Sequence, residues 1–359
     1  MSDLTTESPL PTTTMNNHSL ALSAILALAI HSGLPPALAQ ATNSTAQSPE
    51  VIGTIERLDP RIDALVPKDA KLEKIAEGFI WTEGIAWSKA GKFAVFSDIP
   101  NNVVHRWKEG EGVSQFLKPS GYTGERPRGG VAGDEPGSNG LNFDAQGRLL
   151  LAEHGDRRVT RLEPNGTKTV LADKYLGKRF NSPNDLTVHP NGDIYFTDPT
   201  YGLATWDTRE MGFSGVFRIN AKDGSISAVA TNFQQPNGIA LSPDAKILYV
   251  TSGANWMAVT VKADGSTGEA KAFTNARDWP ITGPRGGGDG MEVDAQGNLF
   301  ATGPGGVCVI APDGKLLGRF ITGDRTANVC FGGEDGKTLF VCVNHRIAKV
   351  QLSTKGLGW

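Results

Sequence analysis

The chain has 359 residues, 39% hydrophobic and 20% charged, with a formal net charge of −3 and an isoelectric point near 6.1. No basic run exceeds two residues, which argues against a nucleic-acid face or an anionic membrane surface and leaves small molecules as the expected partners. Glycine (44) and proline (21) supply many turns, and the apolar content is enough to bury the faces of a closed β fold.

The first 50 residues carry no Lys or Arg. Leu20 to Ile30 is an apolar run well short of the ~20 residues that span a bilayer, and Ala37-Leu38-Ala39 before Gln40 has the form of a signal-peptidase site. Residues 1–39 are therefore expected to be a leader, with export to a periplasm or the exterior favoured over a cytoplasmic location and no membrane span in the mature chain. Residues 40–70, rich in Ser and Thr before Pro49 and broken by Pro60 and Pro67, read as a polar linker.

From residue 71 to 359 one phrase recurs: Glu83-Gly84-Ile85, Asn139-Gly140-Leu141, Asn184-Asp185-Leu186, Asn237-Gly238-Ile239 and Asp289-Gly290-Met291. The copies stand about 50 residues apart, the scale of propeller blades. A sixth copy aligns at Ala327-Asn328-Val329, with Ala327 in place of the oxygen ligand. Each copy leads to a turn, such as Asp144-Ala145-Gln146-Gly147, Pro190-Asn191-Gly192-Asp193 or Asp294-Ala295-Gln296-Gly297, and then to a run such as Leu149–Ala152, Ile194–Thr197 or Leu299–Thr302. No amphipathic helix follows residue 50. The fold class expected is all-β, a six-bladed β-propeller with a metal site in its central channel, closed by pairing Leu72–Ala76 with the strand near Ile347–Val350.

Cys330 and Cys342 flank the turn at Glu334–Lys337 almost symmetrically, which leaves two readings open with equal weight: thiols facing across a hairpin and oxidised in an exported protein, or two buried free thiols. Cys308 has no partner pattern.

In a propeller the first strand of each blade lines the channel, so residues just ahead of these strands converge at one mouth. Glu83, Asn184, Asn237 and Asp289 combine two carboxylates with two amide oxygens and no soft ligand, a set suited to a hard divalent cation, Ca²⁺ first, with Mg²⁺, Mn²⁺ and Zn²⁺ as alternatives. His154 follows one strand and is a candidate proton carrier at the mouth. Asp198 and Tyr201 end the corresponding strand of the next blade, and Arg285 stands in the glycine-rich loop before Asp289. His154, Tyr201 and Arg285 are the substrate-binding candidates from these positions. The glycine-rich loop from Gly124 to Gly137 suits a lid over the channel.

The motifs WTEGIAW (81–87), SNGL (138–141), NSPNDL (181–186), QPNGIALSPD (235–244) and GDGMEVDAQGNL (288–299) resemble those of the gluconolactonase family, also called the regucalcin or senescence-marker-protein-30 family. The resemblance runs from about residue 71 to the C-terminus and implies a six-bladed propeller holding a divalent cation, commonly Ca²⁺. Taken position by position, Glu83, Asn184 and Asp289 match the family's metal-binding residues. Asn237 matches a fourth ligand of organophosphate-hydrolysing relatives, and Asn139 an asparagine that binds substrate in the lactonases. Animal members carry an arginine where Gly137 stands here, which puts their sugar-acid contacts in doubt.

The reaction so implied is hydrolysis of a sugar lactone of the glucono-1,5-lactone type to its aldonic acid, the cation polarising the carbonyl and a carboxylate activating water. Asp289 is the expected catalytic base and Glu83 mainly a metal holder, with their roles exchangeable. Alternatives are hydrolysis of other lactones or phosphotriesters at the same site, or a non-catalytic Ca²⁺-binding propeller.

Overall fold

The computed structural model describes residues 49–281 and 287–359. The leader, residues 40–48 and Arg285 lie outside them. The chain divides after Gln47 into two units, and the account below concerns the second, from Ser48 onward.

Six antiparallel sheets follow one another along the chain, each an up-and-down meander starting at the channel. Blade 1 is Thr82–Ser88, Phe93–Asp98, Val103–Lys108 and Gly112–Leu117. Blade 2 is Ser138–Phe143, Leu149–Glu153, Arg158–Leu162 and Lys168–Ala172. Blade 3 is Leu186–Val188, Ile194–Asp198, Ser214–Ile219 and Ile226–Phe233. Blade 4 is Pro236–Leu241, Ile247–Ser252, Asn255–Val261 and Thr267–Asn275. Blade 5 begins Met291–Val293, Leu299–Gly303, Gly306–Ile310 and Leu316–Ile321, and blade 6 Thr326–Gly332, Thr338–Val343 and Arg346–Gln351.

The second strand of each blade is buried on both faces because neighbouring blades cover it, so it reads as a near-continuous apolar run rather than an alternating one. Six hydrophobic clusters fill the six seams. Leu150, Ala152 and Val159 of blade 2, for example, meet Leu186, Phe196 and Phe217 of blade 3. The turns between first and second strands use side-chain chemistry. Asp144 accepts from the backbone N–H of Gln146 at 3.0 Å and of Arg148 at 2.9 Å, and Asp294 repeats this with Gln296 and Asn298 at 3.0 and 2.7 Å. Helix among the described residues is confined to two short 3₁₀ segments, Pro60–Ala64 and Ala276–Asp278.

Ring closure occurs where the sequence places it. Glu73–Glu77 pairs antiparallel with Arg346–Gln351 as the outer strand of blade 6. The expected linker is corrected over its described part. Thr54–Arg57 adds a fifth, antiparallel strand to blade 5 against Leu316–Ile321, and Ile52, Ile62, Leu65 and Val66 are buried between blades 5 and 6. Four apolar residues spread through a polar, proline-broken stretch carry no periodic signal, yet they cover an edge strand that would otherwise be open.

Of the two cysteine readings the structure has the free thiols. The hairpin register sets Cys330 opposite Phe340 and Cys342 opposite Asn328, so the two thiols are diagonal and not facing. All three cysteines are free and buried, and burial pushes the Cys308 thiol up to about 12.

Candidate active site in the central channel

Glycine explains how the recurring phrase builds a site. Each inner strand lies so close to its neighbour that a side chain on the motif glycine would strike backbone or a side chain of the next blade. A Cβ on Gly84 would meet the Asn139 carbonyl, one on Gly238 the Asp289 carbonyl, and one on Gly290 the Asn328 side chain, all well inside contact distance. Gly84 also has φ +51°. The register of blades 1, 2, 4 and 6 slips at this point of the inner strand, between Glu83 and Ala86, Ser138 and Leu141, Pro236 and Ile239, and Thr326 and Asn328. Such bulges re-aim the preceding side chain, and Glu83, Asn139, Asn184, Asn237 and Asp289 all line one cavity of about 730 Å³.

A second set of residues, not singled out from the sequence, locks this geometry. In four blades a hydroxyl in the second strand donates to the main-chain carbonyl of the motif residue in the next blade: Ser97 to Asn139 (2.9 Å), Thr197 to Asn237 (2.7 Å), Thr251 to Asp289 (3.0 Å) and Thr302 to Ala327 (3.1 Å). The Thr251 hydroxyl also accepts from the Gly238 N–H at 2.7 Å. Ala327 therefore does occupy the sixth motif position. Their signal is faint but present, a Ser or Thr at the last-but-one position of each second strand, after a largely apolar run: Phe96-Ser97-Asp98, Phe196-Thr197-Asp198, Val250-Thr251-Ser252 and Ala301-Thr302-Gly303.

Electrostatically the cavity carries an excess of buried negative charge. Glu83, 3% exposed, has its carboxyl raised well above the usual range, by burial first and then by Asp289, Glu135 and Asp185. Burial likewise raises Asp289, opposed mainly by Arg325. Burial, then Asp289, pushes the Tyr201 phenol up to about 12, so it stays protonated. Asn237 hydrogen-bonds to Asp289, but its Oδ1 is buried with no partner. Among the described residues no group of three or more His, Cys, Asp or Glu side chains is placed to hold a metal ion. The oxygen set here is instead two carboxylates and two amides, Glu83, Asp289, Asn184 and Asn237. An orphaned buried amide oxygen beside two buried carboxylates fits a hard cation.

The other candidates divide. Tyr201 lines the cavity. His154 does not; it is fully buried, packed against Gly202, with Nε2 3.3 Å from Asn184 Nδ2 and Nδ1 3.3 Å from a Glu135 oxygen. It stands beside a channel residue and not at the open mouth. Asp198 is fully buried and turned to the backbone, accepting from Asn181 and Ser182 N–H at 2.8 Å each. The glycine-rich loop is fastened by Arg128, which reaches Asp134 at 2.9 Å and the Gly202 carbonyl at 3.2 Å, and it delivers Glu135 to the cavity. A Cβ on Gly137 would lie 2.7 Å from the Ile99 carbonyl, so no larger side chain fits there. Glu135, Arg325 and Trp81, all lining the cavity, were not identified from the sequence as site residues; Glu135 comes from the loop ahead of blade 2, and Arg325 and Trp81 each stand two residues ahead of a motif position, Ala327 and Glu83.

The fold and this cavity define a six-bladed propeller with an acidic, amide-lined central pocket. The sequence profile described as SMP-30/Gluconolactonase/LRE-like region matches residues 81–345, and the chain belongs to that family. It is 40% identical over 316 residues to a gluconolactonase of Zymomonas mobilis subsp. mobilis, covering 85% of this chain and 88% of that one. A solved gluconolactonase of Xanthomonas campestris aligns with a TM-score of 0.73 at 30% identity, covering 86% of this chain and 99% of that one. A calcium-binding regucalcin of Agrobacterium tumefaciens shares the fold, with a TM-score of 0.60 at 20% identity over 80% of this chain and 94% of that one. The chain is thus a hydrolase of the gluconolactonase type.

Proposed function

We propose that the chain hydrolyses a sugar-derived 1,5-lactone to its aldonic acid in the central cavity, with Glu83, Asn184, Asn237 and Asp289 holding a divalent cation, Ca²⁺ first. The carrying observation is the unpartnered Asn237 Oδ1 beside two buried carboxylates that have only the charge of Arg325 to oppose their own. When bound, such a cation supplies Lewis acidity to the lactone carbonyl. Asn139 faces the same cavity and orients the substrate through its amide. The Asp289 carboxylate takes a proton from the attacking water and returns it to the ring oxygen as the ester bond breaks, a role the two amide ligands cannot fill. Tyr201 keeps its proton at neutral pH and donates a hydrogen bond to substrate oxygen.

The test is acid release from glucono-1,5-lactone by the chain from Gln40 onward, with EDTA and then with Ca²⁺ restored. Turnover should vanish and return, and Asp289→Asn should lower kcat by about 100-fold or more. Turnover unaffected by EDTA would remove the cation from the reading, and no turnover with any divalent cation would remove gluconolactone as substrate. Export rests on the leader alone; N-terminal sequencing of the mature protein should find Gln40 first, and an intact Met1 would refute cleavage.

A further inference from the structure

We infer that Arg325 receives the carboxylate that hydrolysis creates, making it the product-recognition residue of the cavity. This rests on the lactonase reading for the identity of the product but on separate observations for the residue. Arg325 lines the same cavity as Glu83, Asn139, Asn184, Asn237 and Asp289. Its guanidinium stands over the Trp81 ring, 4.3 Å from the centroid, so its plane is held without using its donors. It has no ion pair among the described residues. The adjacent Asp324 turns away to Asn344 at 3.1 Å and Arg346 at 3.8 Å.

A positioned guanidinium with an unclaimed fork is a receptor for a planar anion. The reaction makes one where none existed. Water adds its oxygen to the carbonyl carbon, the bond from that carbon to the ring oxygen breaks, the ring oxygen leaves as a hydroxyl carrying one proton, and the resulting acid sheds the other. The lactone is neutral and the product is an anion, released into a cavity already bearing Glu83, Asp289 and Glu135. A cation held by Glu83 and Asp289 leaves the Glu135 carboxylate on the same wall, and its like charge opposes the open acid as it forms unless a further positive group stands there. Arg325 also acts on Glu83 and Asp289 in the stabilising sense, lowering the proton affinity of both.

The experiment measures gluconate binding by calorimetry to the wild-type chain, Arg325→Gln and Arg325→Lys, with glucitol, the uncharged polyol of the same length, as the comparison ligand. Arg325→Gln should weaken gluconate about tenfold or more while leaving glucitol unchanged, and Arg325→Lys should fall between, keeping the charge and losing the fork. Product inhibition of lactone hydrolysis should weaken in the same order. Equal gluconate affinity in Arg325→Gln, equal losses for both ligands, or no gluconate binding by the wild type would each overturn the assignment. Failure of the lactonase reading would appear separately, as gluconate binding that depends on Arg325 in a protein that does not turn lactone over.

Discussion

At the scale of single residues, identical side chains in this ring do different work according to where the strand aims them. Asp289 faces the cavity, whereas Asp198 faces backbone N–H groups at the end of a second strand. Burial nevertheless pushes Asp198 up to about 7 against those two hydrogen bonds. A carboxyl whose folded value lies above its unfolded value of 3.8 contributes most below that value, and its contribution is lost as pH rises through about 7. Asp198→Asn should therefore be most destabilising relative to wild type near pH 4 and become less so toward pH 8, read by thermal unfolding across that range; a constant difference would show that folding leaves the proton affinity of Asp198 unchanged. This role was not legible in the sequence because Asp-Pro after a strand serves a turn, a ligand and a backbone clamp equally well. The motif residues were legible because they recur, and recurrence separates a site from a local turn. Glu135 occurs once, on a connecting loop, and Arg325 stands ahead of the one copy that lacks the motif oxygen, so recurrence of a side-chain type pointed to neither.

At the scale of elements, the inner strand is the unit that converts sequence into site. Its glycine permits close approach to the next strand, its bulge aims the preceding side chain, and a hydroxyl from the second strand fixes the neighbouring carbonyl. Gly238→Ala should force Asp289 and its strand outward, costing about 1–3 kcal/mol in stability and lowering metal affinity and lactone turnover together. Calorimetric Ca²⁺ titration and chemical unfolding check this; unchanged affinity would mean that blades 4 and 5 can separate without moving the ligand. Strand positions were readable from apolar runs and Asp- and Gly-containing turns. The hairpin of blade 6 shows the limit, since symmetry about a turn does not specify register, and a two-residue offset leaves Cys330 and Cys342 diagonal.

At the scale of the whole molecule, the ring is held by six hydrophobic seams and one closing strand, and the segment ahead of that strand is part of the body. A chain starting at Lys71 should melt below one starting at Ser48, because it loses Ile52, Ile62, Leu65 and Val66 from the seam between blades 5 and 6. Each such side chain contributes about 1.5–3 kcal/mol when fully buried. The shorter chain should also associate through the uncovered Leu316–Ile321 edge, visible by size exclusion. Equal melting temperatures would return residues 49–70 to the status of linker. Blade number and closure were legible from the repeat; this covering layer was not, because it follows no repeat. The closing pair also sets a timetable. Glu73–Glu77 leaves the ribosome before the first strand of blade 1, yet its partner, Arg346–Gln351, follows the inner strands of blade 6, so this early strand must wait until all six blades have been made before it can be paired.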